Sequence, residues 1–355
     1  MNRKVIKEGS PRTSELDKCP VCESKNTKHF FTVPDRLHNT PGEFSYHLCN
    51  SCQTVFQNPM VIQEDLHLCY PLEYTPYVIK REIPDIDFDA LPNNNFRNRL
   101  RKAIVEEVKG KSSEGGVGKI ARILGKRAFF RERAFFGLVA DELLPKGENE
   151  RFALDLGCGT GWLMKNLKKV GWETEGSEWN ETAAELARKV TNCNVWAGDF
   201  RKVDIPKGKY HLIVLNHVFE HINDPKDTLK RVYELLAKGG KAVLFYPNPH
   251  SFGAGWHKTN WYPWDAPRHL IFPTPKAVKL ISKQIGFSEV KAVTKNSFWA
   301  EIEQWICSKA YKNRLNPEKE RLKLGLTEKF GFFTERLLTG LGFEKGWEIV
   351  AVLRK

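Results

Sequence analysis

The chain has 355 residues, which is enough for one large domain or two unequal ones. Hydrophobic residues make up 41% of it and aromatic residues 12%, so the chain can bury a core and is not wholly disordered. The formal net charge of +13 favours an anionic partner such as nucleic acid, an anionic membrane or a phosphorylated substrate. The first residues carry no apolar run, and no stretch approaches about 18 consecutive apolar residues. We therefore expect no signal peptide, no membrane span and a cytoplasmic protein.

Four of the eight cysteines form two C-x-x-C pairs, Cys19 with Cys22 and Cys49 with Cys52. In a reducing compartment such pairs indicate a metal before a disulfide, and four thiolates complete a closed tetrahedral zinc site. The long gap between the pairs requires a folded loop, and the residues around Pro41 and Gly42 predict a strand, a turn and a second strand. We predict one structural zinc bound by these four cysteines; the alternative is two unmetallated thiol pairs.

The sequence divides into four segments by composition. They are a flexible N-terminus over 1–18, a zinc-ribbon module over 19–60, a connecting arm with a basic helical segment over 61–133, and a main domain over 134–355. The arm carries Tyr70, Tyr74 and Tyr77, which could line an acceptor site, although packing at a domain junction is the preferred interpretation.

Residues 97–133, which we call the basic segment, contain 12 Lys and Arg against 4 Glu. A Gly- and Ser-rich stretch at 112–118 predicts a break between two helices. Apolar residues lie among the cations, so the segment is predicted to meet an anionic surface, either a peripheral membrane face or the phosphates of a nucleotide-sugar. A solvated charged face without a partner is the alternative.

From residue 133 onwards, helical and strand patterns alternate, which predicts an α/β fold with a parallel sheet covered on both faces. Helices are expected at 133–144, 161–171, 180–190, 224–240 and 274–286, and strands at 151–157, 173–178, 194–198, 210–216, 241–247, 288–294 and 347–355. Asp224 is placed to cap the fourth helix, with Pro225 at its first position and Gly239 at its end.

A glycine loop, D-L-G-C-G-T-G at 155–161, follows the first of these strands and opens a helix. Trp162 stands where a dinucleotide fingerprint needs a small residue, and no Gly-Lys-Ser/Thr follows, which excludes a P-loop. The spacing resembles the first motif of class I S-adenosylmethionine-dependent methyltransferases. In that family Asp155 would help hold the cofactor ammonium, Glu178 would accept both ribose hydroxyls, and Asp199 would contact the adenine amino group.

The resemblance extends through N-H-V-F-E-H-I at 216–222, L-L-A-K-G-G at 235–240 and W-D-A-P-R-H-L at 264–270. The last of these resembles an insert found in a subset that also carries an N-terminal cysteine module, and many members of that subset are associated with glycan or cell-surface biosynthesis. The implied fold is a Rossmann-like, doubly wound, mostly parallel sheet with a final antiparallel strand. The implied cofactor-binding residues are Asp155, Gly157, Cys158, Gly159, Gly161, Glu178, Asp199, Phe200 and Asn216.

Methyl transfer from a sulfonium is an in-line displacement, and a hydroxyl or carbon-acid acceptor must also lose a proton. His217 or His221 is the first choice for the general base, with Glu220 between them. His269 and His250 could approach from the insert. The H-x-x-E-H spelling of this region matches an inverted zinc-protease motif by chance, because it follows a strand rather than lying in a helix. Some quinone-pathway O-methyltransferases bind a divalent ion through E-x-x-E-H here, but His217 replaces the first acid.

These observations predict methyl transfer from S-adenosylmethionine to a small-molecule or glycan acceptor, meaning a sugar, a nucleotide-sugar or a lipid-linked sugar. A nucleic-acid-binding or nucleic-acid-modifying methyltransferase is one alternative, suggested by the cysteine module and the basic segment, and a quinone-type O-methyltransferase is another. Against nucleic acid, few cations surround the cysteines and no Asn-Pro-Pro-Tyr motif follows the fourth strand. The acceptor atom and the oligomeric state stay open.

Overall fold

The computed structural model describes residues 10–70, 86–88, 90–111, 113–135, 139–145, 151–317 and 322–355. The strands are β1 Thr13–Ser14, β2 Thr27–Pro34, β3 Glu43–Cys49, β4 Val55–Gln57, β5 Met60–Val61, β6 Phe152–Leu156, β7 Glu173–Glu178, β8 Val195–Ala197, β9 Tyr210–Asn216, β10 Leu236–Pro247, β11 Ile271–Phe272, β12 Glu289–Lys295 and β13 Glu348–Arg354. The helices are α1 Phe96–Val108, α2 Gly115–Leu124, α3 Ala128–Ala134, α4 Trp162–Lys169, α5 Glu181–Thr191, α6 Pro225–Leu235, α7 Phe252–His257, α8 Pro275–Ile285, α9 Phe298–Lys312 and α10 Leu326–Gly340.

The largest sheet has seven strands in the order β12-β13-β10-β9-β6-β7-β8. β6, β7 and β8 pair in parallel, whereas β13 pairs with β12 in antiparallel register. This is a Rossmann-like mixed sheet of mostly parallel strands, and it confirms the predicted fold class, including the antiparallel strand at the C-terminus. By its internal contacts the chain groups into two compact units. Unit 1 comprises Met1–Leu72, Leu215–Tyr233 and Leu244–Lys355, and unit 2 comprises Glu73–Val214 and Glu234–Val243.

In unit 2, short strands alternate with capped helices. The Asn180 side chain accepts a hydrogen bond from the Ala183 N–H and so caps the first turn of α5. Both α4 and α5 bury their apolar stripes beside the parallel strands, and a core cluster forms there from Cys158, Met164, Ala184, Ala187 and Val195. Gly176 in β7 admits this packing, because a Cβ there would stand 2.7 Å from the Met164 sulfur. The amphipathic periods of the sequence therefore account for this unit.

Two of the predicted helix boundaries are wrong. The helix expected over 133–144 ends with α3 at Ala134, and a separate 3-10 helix follows at Asp141–Leu143. Val139 and Ala140 are not helical, and residues 136–138 of that window lie outside the described residues. The helix expected over 224–240 starts as predicted, with the Asp224 carboxylate accepting from the Asp227 N–H, but it ends at Leu235. β10 begins at Leu236, and the carbonyl oxygens of Glu234 and Leu235 accept from the Gly208 and Lys209 N–H groups, outside the helix.

The basic segment of unit 2 is helical, as expected, and α1 ends at Val108, before the predicted break at 112–118. The extent of the break is wrong, because α2 begins at Gly115 inside it, and α3 adds a third helix to the two that were predicted. Ile104 is buried in this segment, whereas Ile123 is exposed, and Phe96, just before it, is exposed too. The segment therefore buries part of its apolar side chains and exposes others.

In unit 1 the cysteine module contains the predicted strand–turn–strand, and β2 pairs with β3 around Gly42 in antiparallel register. β4 and the later strand β11 complete a four-stranded sheet in the order β11-β4-β3-β2. Within the predicted flexible terminus, Thr13 and Ser14 form β1, which pairs with β5. The pairings of β11 with β4 and of β1 with β5 join distant parts of the sequence, so local patterns do not predict them.

Between 296 and 346 the chain forms α9 and α10, two helices that the sequence analysis did not predict. In α10, Gly331 allows close packing, because a Cβ there would lie 2.4 Å from the Trp305 ring of α9. Among the described residues, no helix is both long enough and apolar enough to cross a bilayer.

Candidate active site

Three glycines of the 155–161 loop adopt the left-handed backbone region. Their φ angles are +74° at Gly157, +52° at Gly159 and +84° at Gly161. A side chain would be strained in these conformations, and at Gly161 a Cβ would also stand 2.7 Å from Thr191 Cγ2. Glycine is needed here because the chain must turn sharply between β6 and α4.

Two buried carboxylates stand at this turn. Asp155 lies in β6 and is 2% exposed, and Glu178 ends β7 and is 6% exposed. Glu178 Oε2 accepts from the Gly159 N–H at 2.9 Å, and its Oε1 accepts from the Asn180 N–H at 2.9 Å. Burial, and then the Glu178 charge, raises the pKa of Asp155 to about 7; burial also raises the pKa of Glu178. Two like charges out of water favour a cationic ligand, because a positive group would lower both pKa values.

Asp199 follows β8 as expected, but its carboxylate is already paired. Arg201 Nη2 donates to Asp199 Oδ2 at 2.8 Å and Arg201 Nε donates to Oδ1 at 2.9 Å. Burial opposes ionisation, but the hydrogen bonds from Arg201 lower the pKa of Asp199. A ligand that binds the Asp199 carboxylate would therefore use oxygens that already accept from Arg201. The sequence analysis did not identify Arg201.

The other residues expected at the cofactor are placed as follows. Cys158 packs its thiol into the core cluster of unit 2, and its N–H donates to the Ser177 carbonyl oxygen at 3.0 Å. Phe200 is buried, and Asn216 is the half-buried last residue of β9. Of these three, Cys158 has both its side chain and its amide engaged within the protein.

The four paired cysteines of unit 1 converge. Cys19 Sγ lies 3.7 Å from Cys52 Sγ, Cys22 Sγ lies 3.5 Å from Cys49 Sγ, and all four sulfurs lie within 4.8 Å of one another. The two turns share two features. Glu23 and Gln53, each just after its second cysteine, have a φ of +61°, and their N–H groups donate to the carbonyl oxygens of Cys19 and Cys49. No pair is bonded as a disulfide. Two matching turns that present four sulfurs to one point fit the donor set of a structural zinc site.

His217 lies between two carboxylates. Its Nδ1 is 3.2 Å from Glu220 Oε1, its Nε2 is 3.1 Å from Glu348 Oε1, and its ring stacks on Trp347. Burial favours the neutral ring, but the two carboxylates outweigh it and raise the pKa of His217 to about 10. The side chain keeps 37% exposure, so water weakens both ion pairs. A ring with both nitrogens engaged in this way is unsuited to accept a proton near neutral pH.

His221 has the opposite environment. Its Nδ1 lies 3.0 Å from the Arg268 carbonyl oxygen and 2.8 Å from Tyr70 Oη. Because the carbonyl can only accept, Nδ1 carries the proton and Nε2 keeps its lone pair. Burial, followed by the neighbouring His269, lowers the pKa of His221 to about 4, which keeps the ring neutral. Tyr70 is the one arm tyrosine among the described residues, since Tyr74 and Tyr77 lie outside them.

His269 belongs to the same cluster as His221. Its Nδ1 lies 2.7 Å from the Pro263 carbonyl oxygen, and the rings of His221 and His269 meet edge to face with centroids 4.5 Å apart. Fully buried Glu220 is the third member, and its Oε2 has no hydrogen-bond partner among the described residues. One donor atom from each of the three lies within 4.8 Å of the others, which is a set that could hold a divalent cation. His250 is held elsewhere, with its Nε2 2.7 Å from the Gln53 carbonyl oxygen.

The most buried charge cluster of unit 1 has no local signal in the sequence. Arg268 is fully buried and donates to both oxygens of Asp35 at 2.8 and 2.9 Å and to Asp265 Oδ1 at 2.6 Å. Burial opposes ionisation of Asp35, but Arg268 lowers the pKa of that carboxyl far below its usual range. The cluster ties the cysteine module to the 264–270 insert, whose Arg268 carbonyl also orients His221.

The sequence of the domain matches a known family. Residues 128–292 fit the sequence model of a family described as a methyltransferase domain. The match covers 165 of the 355 residues and assigns a methyltransferase domain to this part of the chain. The assignment agrees with the glycine loop, the acidic residues at the ends of the strands and the Rossmann-like sheet of the domain.

Sequence identity to individual known proteins is low. An uncharacterised methyltransferase of Mycobacterium bovis is 25% identical over 130 residues, which is 36% of this chain and 65% of that protein. A ubiquinone biosynthesis O-methyltransferase of Coxiella burnetii is 26% identical over 113 residues, 30% of this chain and 46% of the relative. The matched region thus spans less than two thirds of either relative. A solved methyltransferase from Archaeoglobus fulgidus has 18% identity and a TM-score of 0.41, with 63% of this chain and 91% of that one covered.

Proposed function

We propose that this chain transfers a methyl group from S-adenosylmethionine to a small-molecule or glycan acceptor, meaning a sugar, a nucleotide-sugar or a lipid-linked sugar. The observation that carries the proposal is the pair of buried carboxylates, Asp155 and Glu178, at the glycine turn of a methyltransferase domain. S-adenosylmethionine carries an ammonium, a sulfonium and a ribose diol, which are the groups that such carboxylates would attract and accept from.

The glycine turn would present both a fixed carboxylate and open backbone to the cofactor. Glu178 uses one lone pair of each oxygen on a backbone N–H, which fixes the carboxylate and leaves further lone pairs for a diol. The positive φ angles at Gly157, Gly159 and Gly161 would let a ligand approach the main chain without meeting a Cβ. The proposed cofactor-binding set also includes Asp199, Phe200 and Asn216. Cys158 would contribute no side-chain contact to the cofactor, because its thiol packs in the core of unit 2.

We further propose His221 as the general base. Of the two histidines favoured by the sequence, His221 is neutral and keeps its Nε2 lone pair, whereas His217 is charged and bound on both nitrogens. Tyr70 and the Arg268 carbonyl would hold the His221 ring in one orientation. The neighbouring Glu220 and His269 would determine the electrostatic environment of that ring. His217 would then act as a fixed cation that keeps Glu220 ionised.

The cysteine module and the basic segment have supporting roles in this proposal. Cys19, Cys22, Cys49 and Cys52 would bind one structural zinc, and the basic segment would attract an anionic acceptor or an anionic membrane. The restriction to a glycan acceptor comes from the sequence resemblance. Nucleic acid is the competing anionic partner, and its binding would fall steeply as salt is raised, whereas methylation of a neutral sugar would not.

A quinone-type O-methyltransferase is the second candidate, favoured by one observation. Glu220, His221 and His269 present one oxygen and two nitrogens that could bind a divalent cation. The buried Glu220 Oε2 has no hydrogen-bond partner among the described residues, and a bound cation would offset the cost of burying it. A divalent ion there would polarise an acceptor hydroxyl. His221 would then be a ligand rather than a base, so the two candidates exclude each other at this residue.

Mass spectrometry tests both candidates. The purified protein is incubated with S-adenosylmethionine and a panel of sugars, nucleotide-sugars, lipid-linked sugars and polyphenols, with and without prior treatment by a chelator mild enough to leave the zinc of the four cysteines in place, as elemental analysis verifies. The proposal predicts a mass increase of one methylene on a sugar-containing acceptor, unchanged by the chelator. A methylated polyphenol whose yield falls after chelation and recovers with added Mg²⁺ or Zn²⁺ would establish the second candidate and overturn the first.

A further inference from the structure

Helix α10 carries its large apolar side chains on the outside of the molecule. Leu326, Phe330, Phe333, Leu337 and Leu341, which we call the α10 face, are spaced by three or four residues and therefore lie on one side of the helix. Each is between 62% and 87% exposed, and Phe343 just beyond is 57% exposed. A continuous apolar stripe of this length is a mark of an interaction surface.

The opposite side of α10 is the one that packs on the protein, and it carries charge. Glu335 is fully buried, where its Oε2 accepts from Trp305 Nε1 at 2.8 Å and its Oε1 accepts from the Gly253 N–H at 3.1 Å. Glu328 turns back to the Gly325 N–H and to Lys309. The inward side of α10 also buries Phe332, so the apolar side chains of the α10 face are additional to those that the core uses, and packing within the described protein does not explain them.

The charges around the α10 face indicate which kind of partner would bind it. Both acidic residues of α10 point towards the protein, whereas Lys323 and Lys329 are exposed beside the α10 face. The chain as a whole carries +13. A second copy docked on this face would bring the same cations together, but an anionic lipid surface complements them and accepts Phe and Leu side chains at its headgroup boundary.

We propose that α10 is an interfacial helix that lies flat on an anionic membrane, with the α10 face inserted among the lipid headgroups. The proposal is independent of the acceptor and of catalysis, because it concerns a surface of unit 1 alone. It also differs from the role expected of the basic segment, which would act by charge, whereas α10 would act by insertion of apolar side chains. No described helix is long and apolar enough to span the bilayer, which agrees with an in-plane arrangement.

Vesicle flotation of the full chain tests the proposal, using phosphatidylcholine vesicles and vesicles of equal parts phosphatidylcholine and phosphatidylglycerol. The test variant is the double change Phe330→Ser with Phe333→Ser. The matched control is Leu68→Ser with Leu280→Ser, which removes exposed apolar residues of unit 1 outside the α10 face. A third variant, Leu337→Lys, adds a cation to the centre of the α10 face.

The wild-type protein should float with the anionic vesicles and less with the neutral ones. The double serine variant should lose at least about tenfold in partitioning, because each inserted Phe contributes through its buried area, while the control keeps wild-type binding. Leu337→Lys distinguishes insertion of apolar side chains from attraction by surface charge. If the α10 face inserts among the headgroups, this variant should bind anionic vesicles more weakly than the wild type. If surface charge alone causes binding, the variant should bind more strongly, and that result would overturn the proposal.

Two other results would also overturn it. One is an absence of wild-type flotation with anionic vesicles. The other is a wild-type dimer in sedimentation velocity that the double serine variant converts to a monomer, with vesicle binding unchanged, since the α10 face would then be a contact between copies. Far-ultraviolet circular dichroism and an unchanged urea midpoint confirm that each variant is folded.

Discussion

Replacing Arg268 by Met should strongly destabilise the protein. Arg268 is fully buried against fully buried Asp35, with a second carboxylate at Asp265. The change removes the guanidinium that pairs with both carboxylates and leaves two negative charges in a dry site. Removing one partner of a buried ion pair costs about 3–5 kcal/mol of the free energy of unfolding. For a unit of this size that corresponds to a fall in melting temperature of about 10 °C.

The chain offers a matched control at its surface. Arg12 makes the same two-pronged contact with Asp65, at 2.7 and 2.9 Å, but its side chain is 65% exposed. Water replaces the lost contact there, so Arg12→Met should leave the urea midpoint within the error of the measurement. Both are two-pronged arginine–carboxylate pairs, but Arg268 is fully buried and pairs with a second carboxylate, whereas Arg12 is mostly exposed.

Urea unfolding followed by near-ultraviolet circular dichroism measures both changes. Adding Asp35→Asn and Asp265→Asn to Arg268→Met should recover most of the lost stability, because the orphaned charges are then gone. Equal midpoints for Arg268→Met and Arg12→Met would refute the reasoning, as would a triple variant no more stable than the single one.

Three single sites allow further predictions. His217 has a folded pKa of about 10 against about 6.5 unfolded, so its contribution to stability is complete below pH 6.5 and is lost as pH rises towards 10; the urea-midpoint difference between wild type and His217→Gln should shrink over that range, and a constant difference would contradict this. Protein purified without chelator should contain about one zinc by elemental analysis; Cys49→Ser should lose it while Cys193→Ser keeps it, and a metal-free wild type that stays folded would contradict the site. Gly161→Ala should destabilise the protein by about 1–2 kcal/mol from backbone strain plus the clash with Thr191, and by more than Gly171→Ala, which has a positive φ but open space around it; equal urea midpoints would show that the clash is absent.

The methyltransferase sheet could be predicted well because its signals are local. Alternating apolar periods, the Asp224 cap and the glycine loop each act over a few residues, and the structure contains the corresponding elements. The helix expected over 224–240 ends at Leu235, where the Glu234 and Leu235 carbonyl oxygens accept from N–H groups of Gly208 and Lys209, which are distant in the sequence. The hydrophobic periodicity of the sequence does not predict such a contact.

The histidine cluster could be named from the sequence but not assigned. His217 and His221 are separated by three residues and look equivalent in the sequence, yet their pKa values are shifted in opposite directions. The difference comes from Glu348, which is 131 positions away from His217, and from His269 in the insert. The same holds for Arg268 and Asp35, whose pairing joins residues 233 positions apart. Burial and long-range pairing, not residue type, decide these roles.

Calorimetric titration of the purified chain with S-adenosylmethionine or its demethylated product tests the central claim most directly. We expect binding by the wild type and weaker binding by Glu178→Ala, about five- to a hundredfold, because the ribose diol would lose its acceptor at a cost of about 1–3 kcal/mol. The control is Glu181→Ala, three residues on, whose side chain is 64% exposed and should not affect affinity. An absence of binding by the wild type, or an unchanged affinity in Glu178→Ala, would contradict the proposed cofactor site.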